Sequence, residues 1–200
     1  MTQIAMSRYM LNALFGQGEA VAMHGAPAGG SPPGLPLPLR GLPVAQIGIL
    51  VPDLATGIRA WSALLGRDDW LVYTYGPESV PRLTYRGRPG TFRARVALVG
   101  AAPQVELVES LAGPSAYCEW IDEHGHGLHH LGFRVPSMED TVRAMTAGGV
   151  ALLQSGHGYG LDGDGGFAYF DTRSGIGCIA EAIEVPRRRR PPEPIPARSG

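Results

Sequence analysis

The sequence predicts an α+β protein built from two tandem βαβββ modules that share one site, and three observations predict it. Residues 46–53 read Gln-Ile-Gly-Ile-Leu-Val-Pro-Asp, and residues 130–137 read His-Leu-Gly-Phe-Arg-Val-Pro-Ser. Each is a strand-like run closed by proline and followed by a helix-like stretch. A second echo pairs Val105-Glu106-Leu107-Val108-Glu109 with Ala180-Glu181-Ala182-Ile183-Glu184. Superposing the halves sets Gln46 on His130 and Glu106 on Glu181. Four metal-capable side chains then occupy two equivalent positions in each half, which points to one site shared between them.

The elements follow in order. Residues 3–15 can form a short helix, with Ile4, Tyr9, Leu11 and Leu14 among its apolar members. Residues 25–43 are dense in glycine and proline, which disfavours helix and sheet alike. Residues 1–43 therefore read as an N-terminal arm ending in a linker. The first module spans about residues 44–110. It has a strand over 45–51 and Asp53 as helix N-cap. Leu54, Ile58, Trp61, Leu64 and Leu65 form the helical apolar face, closed by Gly66. Strands follow over 70–75, 92–98 and 104–109, with a turn at 87–90. The second module, about residues 128–185, has a strand over 129–135 and Ser137 as the next cap. Its helix carries Glu139 and Asp140 in the first turn and ends near Gly148 and Gly149. Further strands lie over 150–154, 167–171 and 177–184. Glycine-rich residues 155–166 read as a mobile lid, and residues 186–200 as an Arg/Pro-rich tail beyond the last strand.

Composition excludes several classes of function. The 200 residues, 44% of them hydrophobic, suit one soluble domain, or two half-domains sharing a core. A net charge of −1 gives no general attraction to nucleic acid or to an anionic membrane. All 17 basic residues are arginine, so Schiff-base chemistry on an internal lysine is excluded. Cys118 and Cys178 are too few and too far apart for a zinc ribbon, and free thiols fit a reducing, cytoplasmic setting. Neither a membrane-spanning run nor a secretion leader is expected.

Alternation along a strand sends Glu106 to the face opposite Val105 and Leu107, and Glu181 to the face opposite Ala180 and Ala182. A carboxylate inside an apolar strand is strongly unfavourable unless something compensates its charge. A bound cation is the simplest candidate; pairing with Arg93 or Arg95 across the sheet is the competing account. One imidazole, two carboxylates and an amide oxygen suit one divalent ion such as zinc, nickel, cobalt, manganese or iron. Gly48 and Gly132, two places after Gln46 and His130, leave room for close packing between modules. His157 and Tyr159 are weaker candidates for touching substrate. Arg187–Arg190 would suit a phosphate, although the prolines around them favour a solvated tail.

These segments resemble the vicinal oxygen chelate superfamily of glyoxalases, methylmalonyl-CoA epimerases, extradiol dioxygenases and bleomycin-resistance proteins. Residues 46–54, 104–109, 127–135 and 177–184 carry the resemblance, which covers about residues 44–185. The stretch Gly127-Leu128-His129-His130-Leu131-Gly132-Phe133 looks most like the epimerase branch. The resemblance implies that the two modules form a cupped mixed sheet around a shared metal, with a homodimer as the assembly. It makes Gln46, Glu106, His130 and Glu181 the four ligand positions. Glutamine at position 46 departs from the epimerase pattern and resembles the eukaryotic zinc glyoxalases.

The function expected is that of a metal-dependent isomerase or lyase of the epimerase or glyoxalase type. It would act on a small carbonyl-bearing substrate by proton transfer next to a metal-bound carbonyl. Glu181 is the expected base, with Glu106 as its symmetric partner. The alternative is a small-molecule-binding or resistance protein without catalysis. A third reading, an extradiol-type dioxygenase, needs two histidines and a carboxylate on iron, which Gln46 speaks against.

Overall fold

The computed structural model describes residues 38–197. The helix expected over 3–15 and most of the Gly/Pro-rich linker lie outside the described residues. In the first module β1 (Gln46–Leu50) leads into α1 (Leu54–Leu65). The Asp53 side chain accepts the Thr56 N–H at 2.7 Å, a cap worth about 1 kcal/mol. The helix stops where Gly66 turns left-handed, at φ 65°. Leu54 and Ile58 bury against Trp70, Val72, Ala97 and Leu107 on the convex face of the sheet. The module continues through β2 (Leu71–Tyr75), the hairpin β3 (Arg82–Tyr85) and β4 (Arg88–Pro89), then β5 (Arg93–Val99) and β6 (Gln104–Ala112).

A connecting helix, α2 (Ala116–His124), precedes the second module. That module comprises β7 (Gly127–Arg134), α3 (Met138–Ala147), β8 (Leu152–Tyr159), β9 (Gly165–Phe170), a single turn α4 (Arg173–Ile176) and β10 (Ile179–Glu184). Ser137 caps α3, accepting the Asp140 N–H at 3.2 Å. Met138 and Met145 pack on Phe170, Ala180 and Ala182, and Leu39 at the end of the linker joins them.

All ten strands form one mixed sheet in the order β2-β5-β6-β1-β7-β10-β9-β8-β3-β4, curled into a half-barrel. The middle pair, β1 and β7, is antiparallel, and each is flanked in parallel by the last strand of its own module. The strand order thus repeats outward from the centre, and α1 and α3 cover the convex side. The concave side holds a separate core that includes Phe92, Val96, Trp120, Leu153, Phe167 and Tyr169. None of the helices among the described residues is long and apolar enough to cross a membrane.

Three parts differ from expectation. Helix α2 is unforeseen; Ser115 caps it by accepting the Cys118 N–H at 3.1 Å, and Tyr117 and Trp120 are its buried face. The β3–β4 hairpin leaves the first module after β2 and pairs with β8 of the second. There the Thr84 and Ser155 hydroxyls meet at 2.7 Å, and Arg86 grips Glu119 of α2 with bonds of 2.8 and 2.6 Å. The lid expected over 155–166 is mostly strand, with only residues 160–164 between β8 and β9. Its glycines make room for rings. A Cβ on Gly156 would lie 2.3 Å from Phe167 Cε1, and one on Gly165 would lie 2.6 Å from Tyr159 Cε2.

Candidate metal centre

Register across the four middle strands assembles the site in two rows. In the first, Glu106 of β6 stands opposite Gly48 of β1, which stands opposite His130 of β7. In the second, Gln46 of β1 stands opposite Gly132 of β7, which stands opposite Glu181 of β10. Each polar residue on a central strand therefore faces a glycine of the other module. His130 fills the space above Gly48, where a Cβ would sit 1.9 Å from Cε1 of the ring. Gln46 fills the space above Gly132, with its Oε1 3.2 Å from where that Cβ would be.

His130 Nε2 lies 3.1 Å from Glu106 Oε2 and 3.2 Å from Glu181 Oε2. All three atoms are buried, and none has a hydrogen-bond partner. One Nε2–H cannot point at two carboxylates at once, and two carboxylate oxygens aimed at one nitrogen repel each other. A cation among the three would take a lone pair from each, so the donor set fits a divalent ion with nitrogen and oxygen ligands. The competing account fails on position: Arg93 pairs with Glu78 at 2.9 Å, and Arg95 approaches Glu109 at 3.9 Å. Gln46 lines the same chamber as Glu106 and Glu181.

A β-bulge adds a residue that strand alternation would not place here. One step along β1 from Gly48 to Ile49 is matched by two along β7, from His130 to Leu128. The extra residue, His129, is fully buried and packs against Tyr117, Trp120 and Tyr169. Its Nδ1 lies 2.9 Å from Nδ1 of His130. Burial, with the charge of His130 in addition, holds the His129 imidazole well below its usual range, so it stays neutral and accepts. The His130 Nδ1–H then donates to it, which fixes the His130 ring and leaves Nε2 for the centre.

Proton and cation compete at that nitrogen. Burial by itself would lower His130, but the charges of Glu181 and Glu106 outweigh it and raise the imidazole to about 10. Below that pH the metal-free ring is protonated, so binding an ion must release a proton. Apparent zinc affinity is therefore expected to rise about tenfold per pH unit between about pH 6.5 and 8.5. Competition titration against a chelator checks this; an affinity that does not change with pH would contradict the assignment of Nε2 as a ligand.

A cavity of about 40 Å³ opens above the carboxylates, walled by Tyr75, Tyr117, Tyr159, Phe167 and Tyr169, with Arg189 at its edge. Burial raises all four phenols, so they remain protonated hydrogen-bond donors. The Tyr117 and Tyr169 hydroxyls meet at 2.9 Å, and Tyr169 stands across from Glu181 on β9. Of the two weaker candidates, Tyr159 reaches this chamber and His157 does not. The bulge at Gly158, with φ 88°, puts them on opposite faces. His157 lines a surface groove with Arg82 and Glu184.

Sequence reasoning misses His129, Tyr117 and Tyr169, and it takes Arg189 only as one of the four tail arginines that would suit a phosphate. A signal for Tyr117 lies in the spacing of Tyr117, Trp120 and Ile121 after Ser115. The doubled histidine in a strand signals the bulge. Nothing in the sequence ties Arg189 to the chamber.

Repeated modules with a buried carboxylate–imidazole–carboxylate cluster at their seam define a half-barrel with a metal-capable centre shared by both halves. Residues 45–170 match the model of the glyoxalase/bleomycin resistance protein/dioxygenase superfamily, and the chain belongs to that family. Its members typically bind a divalent metal. The sequence matches no curated protein significantly. Among solved structures it is similar to Streptomyces coelicolor methylmalonyl-CoA epimerase in complex with 2-nitronate-propionyl-CoA. The identity is 18% and the TM-score 0.52, with 76% of this chain and 100% of that one covered. The Mycobacterium tuberculosis methylmalonyl-CoA epimerase matches at 21% identity and TM-score 0.51, covering 75% and 91%. A hypothetical protein of Bacillus halodurans matches at 20% and 0.51, covering 76% and 99%. At these identities the likeness is one of fold.

Proposed function

We propose that this chain is a metal-dependent isomerase or lyase of the epimerase or glyoxalase type, moving a proton at the carbon beside a substrate carbonyl. The observation that carries the reading is the convergence of three buried donor atoms on Glu106, His130 and Glu181, all within 4.8 Å of one another and with no well-formed hydrogen bond. These residues, with Gln46, would hold one divalent ion. That ion would supply Lewis acidity, stabilising negative charge that develops on the substrate oxygen. Glu181 is the base. Its carboxylate is buried at the centre, on β10, and Tyr169 stands across from it on β9, so it borders the chamber where the reacting carbon would lie. Glu106 stands on the other side of the seam and can return the proton. Return to the same carbon from the other face is epimerisation, and return to the neighbouring carbon is isomerisation. The Tyr117 and Tyr169 hydroxyls share one hydrogen bond, which leaves a single O–H of the pair to donate toward the chamber, and the small cavity limits water around the reacting carbon.

The aromatic walls favour one other reading, a binding protein that closes on a small apolar ligand without chemistry. Purification without chelator, followed by metal analysis of the parent and of His130→Ala/Glu106→Ala, separates the two. About one equivalent in the parent and none in the variant is the expected result. Deuterium exchange into small carbonyl compounds should accompany it. Absence of metal from both proteins, even after incubation with zinc, nickel, cobalt, manganese and ferrous iron, would leave the binding protein.

A further inference from the structure

Residues 186–193 are not a free tail. They run back from β10 over the open side of the half-barrel and are held at both ends. At one end Arg187 Nε bonds Asp164 at 2.7 Å, Arg188 pairs with Asp162, and the Leu161 N–H donates to the Arg188 carbonyl at 2.9 Å. Pro186 lies so close to this turn that a Cβ on Gly160 would be 2.6 Å from it. At the other end the Glu193 N–H donates to the Val72 carbonyl at 2.8 Å. The Glu193 carboxylate accepts the Thr74 N–H and hydroxyl at 2.7 and 2.8 Å. Since β2 is one edge of the sheet and the β8–β9 turn lies near the other, the segment is a strap across the mouth.

The strap divides the mouth into two connected spaces. Tyr75, Tyr159 and Arg189 border both the inner chamber and an outer cavity of about 380 Å³. The outer cavity carries Arg93, Arg95, Arg189 and Arg190 against two carboxylates, Glu78 and Glu193. Both carboxylates are already engaged, Glu78 by Arg93 and Glu193 by Thr74. Among the described residues no carboxylate is in ion-pair reach of Arg189, whose guanidinium carbon lies 5.8 Å from the centre of the Tyr73 ring. An arginine held in place over an aromatic ring, with its donors unused, is a ready binder of a planar or tetrahedral anion.

We propose that the strap is the substrate-selecting element, and that Arg189 binds an anionic substituent, a carboxylate or a phosphate, in the outer cavity. The small inner chamber takes the carbonyl end of the same molecule. The role of the inner chamber rests on the proton-transfer reading; the anion site is tested apart from it. Inorganic phosphate and malonate are titrated calorimetrically into the full chain carrying His130→Ala/Glu106→Ala, so that no metal takes part. At least one is expected to bind, and the preferred one identifies the substituent. Adding Arg189→Gln should weaken that binding about tenfold or more without lowering the melting temperature. Adding Glu193→Ala instead frees one end of the strap and should weaken it too. Failure of both anions to bind, or equal binding with and without Arg189, overturns the proposal. Anion binding by a parent that takes up no metal would remove the enzyme reading and leave the anion site standing.

Discussion

Gly48→Ala is expected to strip the metal from the protein while leaving the half-barrel folded. The added Cβ would lie 1.9, 2.1 and 2.3 Å from Cε1, Nε2 and Nδ1 of His130, so the imidazole must leave its place. It has nowhere to go on the same side, because Tyr169 and His129 pack against it. Metal content should fall from about one equivalent to under about a tenth, and the overpacking should cost about 1–3 kcal/mol. Gly132→Ala is the internal comparison. Its Cβ would lie 2.7 Å from Ile183 Cδ1 and 2.9 Å from Gln46 Cβ, so it disturbs Gln46 and leaves Glu106, His130 and Glu181 in place, and it should lose less metal. Parent-like metal content in Gly48→Ala, with circular dichroism unchanged, would show that His130 Nε2 is not a ligand.

Glu181→Gln removes the proposed base and keeps its shape. With a carbonyl compound into which the parent introduces deuterium, exchange should slow about a hundredfold to ten-thousandfold at saturating metal. Metal content must be measured on the same sample, because the residue is also a proposed ligand. Loss of exchange with metal retained assigns the proton transfer to this carboxylate. Undiminished exchange would pass the role elsewhere, with Glu106 next in line.

The parts of the fold legible in the sequence are those whose signals are local or repeated. Asp53 and Ser137 mark helix starts because their side chains bond the backbone three residues on, and the repeat points to one site shared between the halves, whose seam is the β1–β7 pair. The β3–β4 hairpin is not legible, since Arg82–Tyr85 becomes a strand only by pairing with β8, a partner distant in sequence. The glycines of 155–166 mislead for a related reason: a residue that spares space for Phe167 or Tyr159 reads like one that spares backbone freedom. In the site, duplication exposes Glu106, His130 and Glu181 as a set. His129 escapes because simple alternation would turn it away from His130, and only the bulge brings it back.

The hairpin and the strap together leave the sheet without a usable sticky end. A long, flat edge strand invites another chain to add on, which is the route to edge-to-edge aggregation and to fibrils. At one end β3 occupies the side of β8 that would otherwise be open, and the sheet stops at β4, only 2 residues long. At the other, the backbone and carboxylate of Glu193 take hydrogen-bonding positions on β2 at Val72 and Thr74. The segments that shape the mouth of the cup also guard the chain's solubility, so trimming either should first appear as turbidity on warming.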